Sequence, residues 1–176
     1  MEIEFLQKEC PELFNCSSLL YIGAWPQKWT AFLDLFEMGS WKGSCSVLEL
    51  HPDNAQALRD MDAFPVIEGD LKDVEKLVGE KSFDVIFWED GPEHIHEKDF
   101  DSVIPQMQRV AKKYIIMEAP EGIRDHDPHT PNLLDRQYAG IEKDTFDKYG
   151  IPSFLVGSPK KPKGWHRVVS IGTIEE

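Results

Sequence analysis

A few residues in this chain have the types and spacing that a ligand site requires. Glu49 closes the apolar run at residues 45–48, and Gly23 closes an earlier apolar run at residues 19–22. A carboxylate at the carboxyl end of the second strand of an open α/β sheet can accept both hydroxyls of a ribose. A first strand that ends in glycine opens the turn that such a ligand needs. This pairing predicts a site for a nucleoside-containing cofactor.

A second group, Glu93-His94-Ile95-His96-Glu97, could supply either a general base or metal ligands. His94 and His96 are two residues apart and would share a face only on a strand, whereas this stretch is expected to open a helix. His126 and His129 could join them from a later loop, although no spacing requires it. We therefore predict no metal site and take His94, beside Glu93, as the candidate base.

Two of the acidic positions also have simpler interpretations. Glu49 could be a solvated loop carboxylate. Asp70 precedes Leu71 and the helically spaced Val74 and Val78, so it could cap a helix. Capping and ligand binding are compatible roles for one carboxylate.

Length and composition restrict the class of protein. A chain of 176 residues with 41% hydrophobic content suits a single domain over residues 1–176. The net charge of −13 disfavours nucleic acid as a partner. Cys10, Cys16 and Cys45 form no Cys-x-x-Cys pair, and no segment has the length or composition of an export signal or a membrane span. We expect a cytoplasmic protein that does not bind membranes.

Apolar runs at five places alternate with segments of helical spacing, which predicts parallel strands connected by helices. The runs are residues 19–23, 45–50, 64–67, 83–88 and 113–117. Two helical faces are expected to cover this sheet. One comprises Trp29, Phe32, Leu33 and Phe36, and the other comprises Phe100, Val103, Ile104, Met107 and Val110.

The pattern changes after the fifth run. Residues 120–140 are rich in proline and lack periodicity, which is typical of an active-site loop, and a short helix is expected near residues 141–149. The last two runs, 153–157 and 167–174, are separated by a turn too short for a parallel crossover. They should form an antiparallel hairpin.

This arrangement resembles the class I S-adenosylmethionine-dependent methyltransferases, and the resemblance covers nearly everything from Leu19 onward. It rests on six stretches in the family's order: residues 20–27, Glu49 with 51–53, 68–71, 83–88 with 93–95, 117–122 and 145–150. The resemblance implies a Rossmann-like α/β fold with seven strands in the order 3-2-1-4-5-7-6. Strand 7 would be antiparallel, and helices would cover both faces.

The resemblance further implies a methyltransferase with S-adenosyl-L-methionine as its cofactor and a small-molecule substrate. Glu49 matches the acid that binds ribose, and Asp70 matches the acid near the adenine amino group. The other positions implied to line the cofactor are Tyr21, Gly23, Ala24, Trp25, Leu50, Leu71 and Glu89. His94 and Glu93 match the catalytic pair of the small-molecule branch, which would act on a hydroxyl or a protonated amine.

The chain departs from the family in its first motif. Tyr21 stands where an acid is usual, and Trp25 and Gln27 stand where the second and third glycines are usual. The Trp25 indole must turn away from the cofactor, stack on it, or fill its pocket. Because Pro26 restricts Trp25 to extended conformations, we expect the indole to lie outside the pocket.

These departures leave two further hypotheses about function. If the first motif has lost the cofactor, the chain is a non-catalytic binding or assembly module with a methyltransferase-like fold. A nicotinamide-dependent oxidoreductase is disfavoured, because a dinucleotide needs a glycine at the Trp25 position for its pyrophosphate to approach the backbone.

Overall fold

A computed structural model describes residues 3–24, 41–62, 64–122, 137–157 and 166–174. These residues include seven strands: β1 (Ser18–Ile22), β2 (Ser44–Glu49), β3 (Val66–Glu68), β4 (Phe83–Glu89), β5 (Ala111–Pro120), β6 (Ser153–Val156) and β7 (Arg167–Thr173). The strands form one sheet in the order β3-β2-β1-β4-β5-β7-β6, which confirms the predicted order. Several bounds differ from the apolar runs by two or three residues, most visibly in β5, which extends at both ends.

The order of the strands across the sheet reverses between β1 and β4. Strand β1 pairs in parallel with β2 on one side, with Ile22 opposite Leu48, and with β4 on the other, with Ile22 opposite Trp88. Ligands of open α/β sheets bind in the crevice at the carboxyl ends of the strands at such a point. Strand β7 is antiparallel to both β5 and β6, as predicted, so its first residues lie at this same edge.

The helices cover both faces of the sheet. Within the described ranges the α-helices are α1 (Ile3–Glu9), α2 (Pro52–Asp60), α3 (Val74–Val78) and α4 (Phe100–Val110). Successive residues of a strand point to opposite faces. Accordingly, Leu20 of β1 packs in the cluster that contains α4, whereas Tyr21 packs in the cluster that contains Leu6 of α1 and Leu58 of α2. All five apolar residues predicted for the face of α4 are buried. The helical face predicted for residues 29–36 lies outside the described residues.

The prediction of a helix near residues 141–149 is wrong. Ile141 forms an isolated antiparallel bridge with Gly122, and only Asp147–Tyr149 forms a single 3₁₀ turn. The Thr145 hydroxyl accepts a hydrogen bond from the backbone N–H of Glu142, at 2.8 Å. Hydroxyl side chains that bond to nearby backbone groups compete with helix formation. Gly150, in the left-handed conformation, then ends the segment.

Among the described residues, no helix combines the length and the apolar character that crossing a bilayer would need.

Candidate functional site

The turn after β1 lies at the edge of the sheet where the strand order reverses. Gly23 has a φ of +71°, a conformation that favours glycine, and its N–H donates to the Leu48 carbonyl at 2.8 Å. No atom of the described residues would lie within 4 Å of a Cβ at Gly23. Ala24, which follows, is buried. The backbone of this turn is therefore tied to β2 on one side and unobstructed by the described residues on the other.

Glu49 lies at the carboxyl end of β2, as predicted. It is buried, so it is not a solvated loop carboxylate. The residue is only 6% exposed, and Oε1 accepts a hydrogen bond from the His51 N–H at 2.8 Å. Burial raises the pKa of Glu49 above its ordinary value, although hydrogen bonds from His51 and Asn54 oppose that rise. The structure thus holds a desolvated carboxylate beside the turn at Gly23.

The residues that follow β2 and β3 occupy different environments. Leu50, next to Glu49, is 47% exposed. The Asp70 carboxylate accepts from the Lys72 N–H at 2.9 Å and caps the 3₁₀ turn Leu71–Asp73, so the capping role is confirmed. Leu71 is buried in the hydrophobic cluster that contains α4. Leu50 and Asp70 are therefore the more accessible members of this group.

Tyr21 connects β1 to the end of β4. Its hydroxyl donates to Glu89 Oε2 at 3.0 Å, and its ring packs against Phe87 with the centroids 5.5 Å apart. Burial, reinforced by the neighbouring Glu89 carboxylate, raises the pKa of Tyr21 well above its ordinary value. The phenol therefore stays protonated and acts as a donor. A buried hydroxyl thus fixes an acid on the neighbouring strand.

The turn after β4 carries the candidate base. Glu93 is 2% exposed, and its backbone carbonyl accepts from the N–H groups of Tyr138, at 2.7 Å, and Ala139, at 3.2 Å. His94 is partly exposed, with Nε2 4.0 Å from Glu93 Oε1. The ring of His96 contacts Tyr138 instead, with the centroids 4.4 Å apart. A partly exposed imidazole beside a buried carboxylate is an arrangement that can accept a proton.

Across the described ranges, no three His, Cys, Asp or Glu side chains lie close enough together to hold a metal ion. Trp25, which was predicted for this site, lies outside the described residues, as do Gln27, His126 and His129.

Sequence reasoning missed a charged group at the same edge. Arg167 Nε donates to Glu118 Oε1 at 2.7 Å, and Arg167 Nη2 donates to Asp90 Oδ1. Beside it, His166 Nδ1 lies 3.1 Å from Glu121 Oε2. The antiparallel hairpin could have predicted where this group lies, because an antiparallel last strand must begin at the edge where the parallel strands end.

Solved methyltransferase structures share this architecture. An S-adenosylmethionine-dependent methyltransferase from Archaeoglobus fulgidus matches with a TM-score of 0.67 at 14% identity, over 97% of this chain and 92% of that one. A 1,6-didemethyltoxoflavin-N1-methyltransferase from Burkholderia thailandensis, with 1,6-didemethyltoxoflavin and S-adenosylhomocysteine bound, matches with a TM-score of 0.65 at 14% identity, over 99% and 76%. The N-terminal domain of EvdMO1 with SAH bound gives 0.66 at 12% identity, over 98% and 79%.

By sequence, no family model and no curated protein matches the chain. The likeness is one of structure. Together with the strand order, it shows that the chain has the Rossmann-like fold of the class I S-adenosylmethionine-dependent methyltransferases.

Proposed function

We propose that this chain is an S-adenosyl-L-methionine-dependent methyltransferase that methylates a small molecule. The observation that carries the proposal is the buried Glu49 carboxylate at the end of β2, next to the turn at Gly23, which no described residue obstructs. Both lie where the strand order reverses, which is where sheets of this kind bind nucleoside ligands. The bound S-adenosylhomocysteine and small-molecule ligand of the Burkholderia thailandensis neighbour support the proposal at the level of fold.

The described residues fit this cofactor. Glu49 can accept hydrogen bonds from the two ribose hydroxyls, and the exposed Leu50 side chain can cover one face of the adenine. The Nδ1 atom of His51 is buried and has no hydrogen-bond partner among the described residues, which leaves a polar group beside Glu49 for a ligand. Asp70 and Leu71 would border the adenine.

The remaining cofactor positions come from the first and fourth strands. Tyr21, Gly23 and Ala24 would border the methionine part of the cofactor, with Trp25 completing the turn. Glu89, held by Tyr21, would place a carboxylate on the opposite side of the crevice. When bound, the cofactor would supply a methyl group on a positively charged sulfur, for an acceptor that bonds to the methyl carbon as the carbon–sulfur bond breaks.

The chain's own residues would act mainly by position. Holding the acceptor in line with the methyl group and excluding water would provide most of the rate acceleration. For a hydroxyl or protonated amine acceptor, His94 would take the proton, and Glu93 would favour the imidazolium that results. The net charge of −13 disfavours nucleic acid as the acceptor.

Thermal unfolding with S-adenosylhomocysteine tests the proposal. Ligand at 100 times its dissociation constant should add about 2.7 kcal/mol to the free energy of unfolding, and so raise the melting temperature, because it binds only the folded chain. NAD is the matched control and should leave the melting temperature unchanged. If S-adenosylhomocysteine neither stabilises the wild type nor gives a calorimetric signal, the methyltransferase proposal is wrong and the non-catalytic alternative takes its place.

Replacement of Tyr21 by Phe tests the link between the first strand and Glu89. We expect Tyr21→Phe to weaken S-adenosylhomocysteine binding by about 0.5–1.5 kcal/mol, the usual net contribution of one hydrogen bond, because Glu89 loses its donor. The ring keeps its packing against Phe87, so the variant should remain folded. Calorimetry provides the measurement. The control is Tyr114→Phe, in the first half of β5 and away from the carboxyl ends of the strands. Equal affinities for the two variants would contradict the prediction.

A further inference from the structure

The structure assigns to Arg167 the role of a positioning residue that holds the turn after β4, comprising Asp90 and Gly91, in the conformation that the site needs. The assignment rests on the proposed function, because its purpose is to place the candidate cofactor and acceptor groups. Arg167 would act through other side chains and would not touch the ligand itself.

Arg167 contacts three parts of the fold. Arg167 begins β7 opposite Pro120, the last residue of β5. Its guanidinium donates from Nε to Glu118 of β5 and from Nη2 to Asp90 of the turn. The Asp90 N–H also donates to the Glu118 carbonyl at 2.8 Å. One side chain therefore ties the last strand, the fifth strand and the turn together.

The turn after β4 does not adopt an intrinsically preferred conformation. Asp90 has a φ of +44°, in the left-handed region that costs an L-residue free energy. Gly91 is pressed against Trp88 so closely that a Cβ at this position would overlap the indole. Backbone in such a conformation persists only when its surroundings hold it. The ion pair from Arg167 is a side-chain contact that holds Asp90.

Arg167 also supplies a charge next to a buried carboxylate. Glu89 and Glu118 are partners in the register of β4 and β5, so their side chains leave the same face of the sheet. The Glu118 side chain is only 3% exposed, and a carboxylate so buried requires a compensating charge. Arg167 provides it. Although burial disfavours a charged guanidinium, the Glu118 and Asp90 carboxylates hold the pKa of Arg167 above its ordinary value.

The consequence concerns both halves of the site. The turn directly follows Glu89, which would face the cofactor, and directly precedes the 3₁₀ turn Pro92–His94, which carries the candidate base. A shift of Asp90 and Gly91 would therefore displace Glu89 on one side and His94 on the other. We expect Arg167 to determine cofactor affinity from the far side of β5.

The test compares Arg167→Met, Arg167→Lys and the double variant Arg167→Met/Glu118→Gln. The double variant removes the uncompensated buried carboxylate and should recover the thermal stability that Arg167→Met loses. The matched control is Arg109→Met, which breaks the Arg109–Glu75 pair between α4 and α3. Two quantities are measured: the affinity for S-adenosylhomocysteine by calorimetry, and the indole N–H resonance of Trp88 in the ligand-free protein, assigned with Trp88→Phe.

If Arg167 positions the turn, the double variant stays folded, yet its Trp88 resonance is shifted and its affinity is at least tenfold lower than that of the wild type. In Arg167→Lys, the Trp88 resonance and the affinity should lie between those of the double variant and those of the wild type. Lysine supplies the charge but cannot bridge two carboxylates as a guanidinium does. Arg109→Met should change neither. An unshifted Trp88 resonance, or wild-type affinity in the double variant, would overturn the assignment. A wild type that does not bind S-adenosylhomocysteine overturns the proposed function instead, and the Trp88 resonance then decides by itself whether Arg167 holds the turn.

Discussion

Replacement of Glu49 by Ala is expected to weaken S-adenosylhomocysteine binding by about 1.5–3 kcal/mol, or roughly ten- to 150-fold. The reason is that an ionised carboxylate at the end of β2 would accept two ribose hydroxyls, and hydrogen bonds to charged groups are the stronger ones. Glu49 is already desolvated in the folded chain, so the cost of burying it has been met before the ligand arrives. Isothermal titration calorimetry on the folded variant measures the effect.

Two further variants make this result specific. Glu49→Gln keeps one acceptor oxygen and should lose less affinity than Glu49→Ala. Glu75→Ala removes an acid of α3 that is paired with Arg109, and should leave the affinity unchanged. A folded Glu49→Ala variant with wild-type affinity would remove Glu49 from the ribose site.

Replacement of Asp84 by Ala is expected to lower the free energy of unfolding by roughly 2–4 kcal/mol, the result of losing hydrogen bonds to a buried charged acceptor. Asp84 Oδ2 accepts from the Ser17 N–H at 2.7 Å and from the Ser17 hydroxyl at 2.8 Å. In return, the Asp84 N–H donates to the Ser18 hydroxyl at 3.0 Å. These bonds join the starts of β1 and β4, the two strands that border the crevice at their other ends.

The effect of Asp84 should depend on pH. Burial acts to raise the pKa of Asp84, but the Ser17 hydrogen bonds and the nearby Lys112 outweigh it and hold the pKa below its ordinary value. A carboxyl with a lowered folded-state pKa stabilises the fold fully above its unfolded pKa of about 3.9, and loses that contribution as the pH falls through the folded-state pKa.

Urea unfolding of the wild type and of Asp84→Asn measures this dependence. The stability difference should be constant from pH 7 to about pH 5 and should shrink below about pH 4. Asp101→Asn is the control, because Asp101 pairs with Lys148 at an exposed site and should change stability little. A difference that stays constant down to pH 3 would show that the Asp84 charge does not stabilise the fold.

Much of the fold could be predicted from local patterns. The apolar stripe of α4 repeats at helical spacing over three turns, and every predicted position is buried. The antiparallel last hairpin followed from a connection too short to cross the sheet. The strand order came from a resemblance to a family, since periodicity identifies strands but does not say which strands are neighbours.

The candidate site divides in the same way. Glu49 and Asp70 were predictable, because Glu49 closes one apolar run and Asp70 lies three residues after another. Such positions are typical of strand ends, where ligands and helix caps are found. The absence of a helix at residues 141–149 was not predictable from spacing alone. Phe146 is held in the core against Phe100, and the bridge between Gly122 and Ile141 fixes the approach of the chain. Such contacts outweigh local propensity.

The sequence by itself determined which residues are apolar, which acids end strands and where the last hairpin turns back, because each of these depends on neighbours along the chain. Only the tertiary structure decided that Tyr21 bonds to Glu89 and that Arg167 joins Glu118 to Asp90. These partners are separated by 49 to 77 positions. Whether two such side chains meet depends on the pairing and register of strands that are distant in sequence, and no local pattern contains that information.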